Sequence, residues 1–209
     1  MTTPLPADAE TLFARLRDSL KDALGVPCNG QAQEGPDALA GVDPTMPMGE
    51  SAAGSGSEAA QAGSAEAPAF IGIHTGGAWL AARLHAELGL SSPLGFLSSA
   101  FYRDDVQARG LSTRMQPTRI DFDVNGRDIV LVDDILHTGR TIRAALNEIF
   151  DYGRPARVRL AVLIDRGGRE LPVQPDHVGA RLVLQPGEKL ALSQRTNGMF
   201  ELRVESVQA

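Results

Sequence analysis

The sequence predicts an α/β protein: an open parallel sheet flanked by helices, with a small β appendage. Residues 70–73, 128–133 and 158–164 each contain a short apolar run, which is typical of buried parallel strands. Helical apolar periods at residues 79–88 and 138–152 lie between them. Strands that alternate with helical patterns indicate βαβ units with right-handed crossovers, and therefore a parallel sheet.

The first element is an amphipathic helix at residues 7–24, in which leucines recur at every fourth position. Residues 29–68 contain six acids, no Lys or Arg, and mostly Gly, Ala, Ser and Glu. Such a composition cannot bury enough apolar surface to offset the entropy of ordering the chain. We therefore predict three parts: an N-terminal helix unit (1–28), a flexible low-complexity insertion (29–68) and a core with an appendage (69–209).

Within the core, residues 94–102 predict a further strand, and residues 103–117 are polar and irregular. Residues 119–122 predict a short strand before the turn at Asn125-Gly126. Near the end of the chain, residues 189–193 and 199–204 lie on either side of the turn signal Asn197-Gly198, a pattern typical of a β-hairpin.

The net charge of −6 arises from 26 acids and 20 bases. Six of the acids lie in the insertion, so the remainder carries 20 of each sign and is neutral. The single cysteine, Cys28, excludes an internal disulfide framework and a CxxC metal pair. We find no secretory signal pattern, and no apolar run approaches the roughly 20 residues needed to span a bilayer. We expect a soluble cytoplasmic protein.

The most informative stretch is VLVDDILHTGRT, residues 130–141. A buried strand leads into Asp133 and Asp134, and a small polar turn then starts the next helix. Ligands of open parallel sheets bind beyond the carboxyl ends of the strands, and helix N-termini bind anions. The acids can accept hydrogen bonds from a sugar diol and the turn can bind a phosphate, a pairing that ribose 5-phosphate presents. The turn residues are His137, Thr138, Gly139, Arg140 and Thr141.

Other nucleotide-binding patterns fit less well. The strings GxxxxGK[ST] and GxGxxG are absent. Acid pairs at strand ends also hold Mg²⁺ in phosphoacceptor receiver domains, which need a later Asp and a later Lys. Asp165 and Lys189 come in that order, but only 24 residues separate them and prolines crowd the interval. A solvated acid pair without function is the remaining alternative.

Residues 130–146 resemble the phosphoribosyl-pyrophosphate-binding motif of type I phosphoribosyltransferases. Together with Phe101-Tyr102-Arg103-Asp104-Asp105 and the stretch 153–172, they resemble one subfamily, the bifunctional pyrimidine-operon regulator and uracil phosphoribosyltransferase. The resemblance covers about residues 69–205. It implies a five-stranded parallel sheet with a small hood that holds the base, and an enzyme that forms UMP and pyrophosphate from uracil and phosphoribosyl pyrophosphate.

The resemblance also implies roles for particular residues. Asp133 and Asp134 would bind the ribose hydroxyls. Residues 137–141 would form a phosphate loop, and residues 74–77, with Thr75, Gly76 and Gly77, a diphosphate turn. Residues 103–117 would form a mobile loop that closes over the site. The remaining implied site residues are Arg103 in that loop, and Asp165, Arg166 and Val178 in the hood, whose backbone would contact uracil. Mg²⁺ would enter bound to the substrate diphosphate, with no direct protein ligands.

One departure from the family pattern concerns the diphosphate turn, where members often carry a basic residue and this chain has Gly76. We expect this to weaken substrate binding or turnover, so that Gly76→Arg would raise activity. His74 is a candidate to supply the missing charge.

The family's regulatory half binds messenger RNA through a basic face, whereas this core is neutral and the insertion is acidic. RNA is therefore a partner we do not favour. An arginine patch could still bind it, with Arg15, Arg17, Arg143, Arg154, Arg157 and Arg159 as candidates. The alternative function is a UMP-sensing attenuation regulator that binds mRNA with weak or no catalysis. The family also implies a homo-oligomer, a dimer or higher.

Overall fold

The computed structural model describes residues 3–26, 67–98 and 116–206. Most of the predicted insertion (29–68) and most of the predicted mobile loop (103–117), including Arg103, lie outside these residues. The described residues belong to one compact unit, in which residues 3–26 pack with the chain from residue 67 onward. Within the described part of the chain, no helix is long and apolar enough to cross a membrane.

Five parallel strands form the central sheet. In chain order they are β1 (Ala69–Ile73), β2 (Leu94–Leu97), β3 (Asp128–Leu136), β4 (Arg157–Asp165) and β5 (His177–Arg181). Their order across the sheet is β2-β1-β3-β4-β5. The predicted parallel sheet is confirmed: β1 is wholly buried, and so are the continuous apolar stretches of β3 (129–132) and β4 (160–164).

In the described part of the chain, three helices pack on the two faces of this sheet: α1 (Ala9–Leu24), α2 (Gly76–Glu87) and α3 (Arg140–Tyr152). Helices α1 and α2 lie on one face, where their leucines pack against Phe70, Val130 and Val132. Helix α3 lies on the other face, against Ile129 and Leu131. Alternate residues of β3 therefore face opposite layers, as the two-residue period of a strand dictates.

Local signals explain where α1 begins and ends. The Asp8 carboxylate accepts a hydrogen bond from the Thr11 backbone N–H at 2.9 Å, so Asp8 caps the first turn. Gly25 ends the helix with φ at 64°, a left-handed conformation that favours glycine. The predicted helix at 7–24 is thus confirmed with its start two residues later.

The predicted hairpin is also confirmed, as strands β6 (Glu188–Gln194) and β7 (Phe200–Ser206), which pair antiparallel. It contacts α1 through Phe200, whose ring centroid lies 5.4 Å from that of Phe13. By contrast, the predicted short strand at 119–122 is reduced to a single antiparallel bridge between Phe96 and Arg119.

The connections place a topological switch point between β1 and β3. The chain crosses from β1 through α2 to β2 on one side, and β3 then pairs with the other side of β1. The loops that leave β1 and β3 consequently go to helices on opposite faces of the sheet. Open α/β sheets bind ligands in the crevice at such a point, beyond the carboxyl ends of the strands.

Candidate active site

Two adjacent carboxylates lie on β3 at this crevice. Asp133 is 4% exposed, and its Oδ1 accepts a hydrogen bond from the Asp134 N–H at 3.0 Å. Asp134 is more exposed, and its Oδ1 accepts from the Ile135 N–H at 3.0 Å. The strand does not end at Asp133, as the sequence predicted, but continues to Leu136. Ile135 still pairs with β4, so the acids are held by a rigid strand rather than by a loop.

The diphosphate turn, residues 74–77, lies directly against these acids. Thr75 is exposed at its tip, whereas Gly76 and Gly77 are buried as the first residues of α2. A Cβ atom at Gly76 would lie 2.6 Å from Cγ of Asp134, and one at Gly77 would lie 2.8 Å from Cα of Asp133. Real Cβ atoms do not approach other heavy atoms so closely, so both positions require glycine for this packing. The contact at Gly76 argues against our expectation that Gly76→Arg would raise activity.

His74, the first residue of this turn, is half-buried at the end of β1. Its ring centroid lies 5.6 Å from that of Phe96, and its backbone N–H donates to the Leu97 carbonyl at 2.8 Å. Burial lowers the pKa of the His74 imidazole below its usual value. The neutral form is therefore favoured at neutral pH, and His74 is a poor substitute for a basic residue in the turn.

The phosphate loop, residues 137–141, joins β3 to α3. Gly139 adopts φ at 92°, a left-handed conformation, and provides no side-chain cap for the helix that begins at Arg140. Thr138 is 8% exposed, and its hydroxyl accepts a hydrogen bond from the Arg140 N–H at 3.3 Å. Amide groups in the first turn of a helix lack intrahelical partners and carry the positive end of the dipole. These amides are suitable donors for an anion, and the role of the loop as a phosphate site stays a prediction.

The side chain of Arg140 turns away from this helix start. Its guanidinium forms an ion pair with Glu170 at 2.6 Å, and the two side chains are 58% and 49% exposed. Exposed pairs of this kind contribute little to stability, about 0–1 kcal/mol. Arg140 thus contributes its backbone N–H to the loop, while its side chain contacts the segment after β4.

That segment, residues 166–173, is called the hood segment from here on. It leaves β4 at Asp165, whose Oδ1 accepts from the Gly167 N–H at 3.0 Å. The backbone N–H of Arg166 donates to the Leu136 carbonyl at 2.9 Å. The structure therefore brings two predicted base-binding residues, Asp165 and Arg166, beside the phosphate loop. Val178 lies on β5, paired with Val162 of β4, and its side chain packs against the core on the α3 face.

Arg169 is a residue to which the sequence analysis assigned no role. It donates to the His137 carbonyl at 2.7 Å and to the Val173 carbonyl at 3.0 Å, and it pairs with Asp165 at 2.5 Å. The signal that could have revealed it is a basic residue four positions after an acid at the end of a strand. The sequence could not show that this side chain also reaches the loop after β3.

The crevice offers acceptors for vicinal hydroxyls beside donors for a phosphate, at the switch point of a doubly wound sheet. This is the class of site that phosphoribosyltransferases use. The family model of the phosphoribosyl transferase domain matches residues 54–182. The chain belongs to this family, as a type I phosphoribosyltransferase of the bifunctional protein PyrR family. The predicted family and fold class are confirmed.

Curated relatives support the subfamily. The bifunctional protein PyrR of Nitrosococcus oceani is 57% identical over 128 residues, which cover 60% of this chain and 72% of that protein. The bifunctional protein PyrR of Pseudomonas aeruginosa is 54% identical over 127 residues, covering 61% of this chain and 75% of that protein.

Solved structures of more distant proteins share the fold. A hypoxanthine-guanine phosphoribosyltransferase of Bacillus anthracis has a TM-score of 0.53 at 14% identity, covering 87% of this chain and 85% of that chain. A hypoxanthine phosphoribosyl transferase of Trypanosoma cruzi has a TM-score of 0.50 at 18% identity, covering 90% of this chain and 79% of that chain. At such identities the likeness shows the fold alone.

Proposed function

We propose that this phosphoribosyltransferase forms UMP and pyrophosphate from uracil and phosphoribosyl pyrophosphate. The observation that carries the proposal is the contact of the acid pair on β3 with the glycines of the diphosphate turn, beside the start of α3. Membership of the PyrR family supports uracil as the base, since the resemblance to that subfamily implies this acceptor.

The acid pair and the phosphate loop bind the two ends of the ribose phosphate. Asp133 and Asp134 each use Oδ1 for a neighbouring backbone N–H, which fixes the orientation of both carboxylates. Carboxylate oxygens are acceptors suited to the 2- and 3-hydroxyl groups of ribose. The first turn of α3 lies after β3 on the same chain segment, so its amide groups and dipole receive the 5-phosphate.

The diphosphate turn receives the leaving group. Thr75 is exposed at its tip, and the close approach of Gly76 and Gly77 to β3 places this turn next to the ribose site. Among the described residues, no group of three or more His, Cys, Asp or Glu side chains is placed to hold a metal ion. The residues present fit an Mg²⁺ that enters on the diphosphate oxygens, with the carboxylates of Asp133 and Asp134 nearby. When bound, the ion neutralises part of the leaving-group charge.

The chemistry requires positioning rather than a covalent nucleophile. The bond from ribose C1 to pyrophosphate breaks, the bond from C1 to uracil N1 forms, and the N1 proton of uracil passes to water. Positive charge builds on the ribose ring as the leaving group departs, so negative carboxylates near the ring favour the transition state. Asp133, held on a buried strand, keeps the sugar aligned with both reaction partners. Arg103 of the predicted mobile loop is proposed to complete the site.

The base is proposed to bind against the hood. Asp165 ends β4, Arg166 begins the hood segment, and Val178 lies on β5, the strand next to β4. Recognition by backbone groups suits uracil, which presents two carbonyls and an N–H in one plane.

A regulatory role in pyrimidine gene expression is the second function that the PyrR family implies, and UMP bound in the same crevice is the proposed signal. The arginines considered for RNA binding do not form one patch. Arg15 and Arg17 lie on α1 and Arg143 on α3, and these helices cover opposite faces of the sheet. Filter binding of pyrimidine-operon leader RNA at two salt concentrations tests RNA as the partner. Saturable, UMP-enhanced binding supports it, and equal weak binding of unrelated RNA contradicts it.

A radiolabelled uracil assay tests the enzymatic proposal. The wild-type protein is expected to convert uracil to UMP in the presence of phosphoribosyl pyrophosphate and Mg²⁺. Asp133→Asn and Asp134→Asn are expected to lower kcat/KM by about tenfold or more, because each removes a charge-assisted contact to the sugar. Arg195→Gln, which alters an exposed arginine of the hairpin, is the control for charge removal. Conversion by both Asn variants at the wild-type rate would refute the assignment of the acid pair.

A further inference from the structure

The hood segment and the phosphate loop are joined by backbone hydrogen bonds. The N–H of Arg166 donates to the Leu136 carbonyl at 2.9 Å. The N–H groups of Glu170 and Leu171 both donate to the Thr138 carbonyl, at 3.0 and 3.2 Å. The hood segment thus lies along the end of β3 and the start of the phosphate loop, and its backbone holds two of the three successive carbonyls of residues 136–138.

Arg169 holds the third carbonyl. Its Nη1 donates to the His137 carbonyl at 2.7 Å and lies 3.4 Å from the carbonyls of Leu136 and Gly167. Its Nη2 pairs with Asp165 Oδ1 at 2.5 Å, and its Nε donates to the Val173 carbonyl at 3.0 Å. The Arg169 and Asp165 side chains are 20% and 12% exposed, so this cluster is largely shielded from water.

The orientation of these carbonyls determines where the loop amides point. In a trans peptide, the C=O of one residue and the N–H of the next point in opposite directions. Among the described residues the only cis peptide bond joins His74 and Thr75, so the loop peptides are trans. With the carbonyls of residues 136–138 turned toward the hood segment, the N–H groups of His137, Thr138 and Gly139 point away from it, toward the crevice. Successive N–H groups that point together form an anion-binding concavity.

We propose that Arg169 is a positioning residue that sets the geometry of the 5-phosphate site from outside it. It touches neither sugar nor phosphate. It orients the carbonyl of His137, and through that peptide the N–H of Thr138, while its bond to Asp165 ties the phosphate loop to the predicted base site. The inference rests on the proposed function for its choice of ligand.

Only arginine can make this set of contacts. Its planar guanidinium presents five N–H donors in a fixed fork, whereas the lysine ammonium is a single donor centre. Lysine at this position keeps the positive charge beside Asp165 but cannot also reach the carbonyls of His137 and Val173. The pair Arg169→Lys and Arg169→Gln therefore separates the role of the charge from that of the fork.

The test measures the affinities of ribose 5-phosphate and of pyrophosphate, by calorimetry, for the full chain and both variants. Ribose 5-phosphate probes the phosphate loop, and pyrophosphate probes the diphosphate turn, which Arg169 does not touch. We expect Arg169→Gln to weaken ribose 5-phosphate binding by about tenfold or more and to leave pyrophosphate binding within about twofold. For ribose 5-phosphate, Arg169→Lys is expected to recover less than half of the binding free energy that Arg169→Gln loses. Arg195→Gln is the matched control, with both affinities unchanged.

Three results with the variants would overturn the inference: unchanged ribose 5-phosphate affinity in Arg169→Gln, equal weakening of both ligands, or full restoration by lysine. If the Gln variant does not fold, the Lys variant decides by the same measurements. The proposed function fails separately, if the wild-type protein binds ribose 5-phosphate yet does not convert uracil. Absence of ribose 5-phosphate binding by the wild-type protein would overturn the inference as well.

Discussion

Gly76 lies in contact with the carboxylate of Asp134. A Cβ atom at position 76 would stand 2.6 Å from Cγ of Asp134, so the start of α2 and the acid pair of β3 occupy adjoining space with none to spare. The absence of a side chain at position 76 therefore shapes the proposed ribose site. This relationship gives Gly76 a steric role that a comparison of charge alone does not reveal.

Gly76→Ala is expected to weaken phosphoribosyl pyrophosphate binding by about tenfold, because the new Cβ forces the Asp134 carboxylate to rotate out of its present position. Calorimetric titration of the substrate with Mg²⁺ measures this. Gly126→Ala is the control, since a Cβ there meets open space while φ at 67° strains the backbone. It should lower stability and leave affinity unchanged. Wild-type affinity in Gly76→Ala would show that Asp134 can move without loss.

Gly77→Ala is expected to destabilise the fold rather than only the site. Here the added Cβ would meet backbone, lying 2.8 Å from Cα of Asp133 and in contact with the Val132 carbonyl. Backbone cannot rotate away as a side chain can, so α2 must shift from β3. We expect a loss of about 1–3 kcal/mol in the free energy of unfolding, measured by urea denaturation. A loss no larger than that of Gly76→Ala would contradict this account.

One arginine side chain joins the N-terminal helix to two other elements. Arg83 of α2 pairs with Glu10 of α1 at 2.7 Å, and its guanidinium carbon lies 4.4 Å from the Phe13 ring centroid and 5.1 Å from that of Phe200. The hydrogen bond from Arg83 lowers the pKa of the Glu10 carboxyl, and the Phe200 N–H also donates to it at 2.6 Å. One side chain thus joins α1, α2 and β7.

Arg83→Met is expected to lower the free energy of unfolding by about 2 kcal/mol, because Glu10 loses a charge-assisted partner in a half-buried position. Arg195 forms an ion pair with Glu201 and is 59% exposed, so Arg195→Gln should lower the free energy of unfolding by less than about 0.5 kcal/mol. Urea denaturation at pH 7 compares the two. Equal losses would mean that the Arg83 cluster is no stronger than a surface pair.

The sheet was predictable wherever a strand is long and wholly apolar. Residues 129–132 and 160–164 are such runs, and the strands predicted around them at 128–133 and 158–164 are present in the structure, with β3 extending three residues further. β5 was not predicted as a strand, because it has five residues, follows Pro172 and Pro175, and contains Gly179. Its strand conformation depends on pairing with β4, a long-range contact that local sequence does not encode.

The site was predictable in its residue types but not in its contacts. An acid pair followed by a Thr-Gly-Arg-Thr turn has a local chemical meaning, and the structure places it at the switch point. The contact of Gly76 with Asp134 and the bonds of Arg169 to the phosphate loop join segments more than 30 residues apart. Such contacts follow from the order of the strands, so they had to be read from the fold.

Stability is expected to fall on acidification below pH ~6.5, with His177 as a main cause. His177 is 8% exposed, and its Nδ1 lies 3.0 Å from the Ser19 hydroxyl, which ties β5 to α1. Burial lowers the pKa of His177, the nearby positive Arg159 acts in the same direction, and Asp176 opposes it. Because the folded-state pKa is the lower one, the unfolded chain binds the proton first as the pH falls. The contribution of neutral His177 to the free energy of unfolding is therefore fully present above its unfolded-state pKa and is lost as the pH falls through its folded-state pKa.

Urea denaturation at intervals between pH 8 and pH 5 measures how steeply the free energy of unfolding changes with pH, with His177→Gln as the test variant. The slope should decrease in the variant but not vanish, because burial lowers the pKa of His74 in the same direction. Lowered carboxyl pKa values, such as those of Glu10 and Glu188, place their protonation below this window, so they do not obscure it. If the free energy of unfolding of His177→Gln changes with pH as steeply as that of the wild type, the pKa of His177 is the same in the folded and unfolded states. The contact of β5 with α1 would then have no pH dependence.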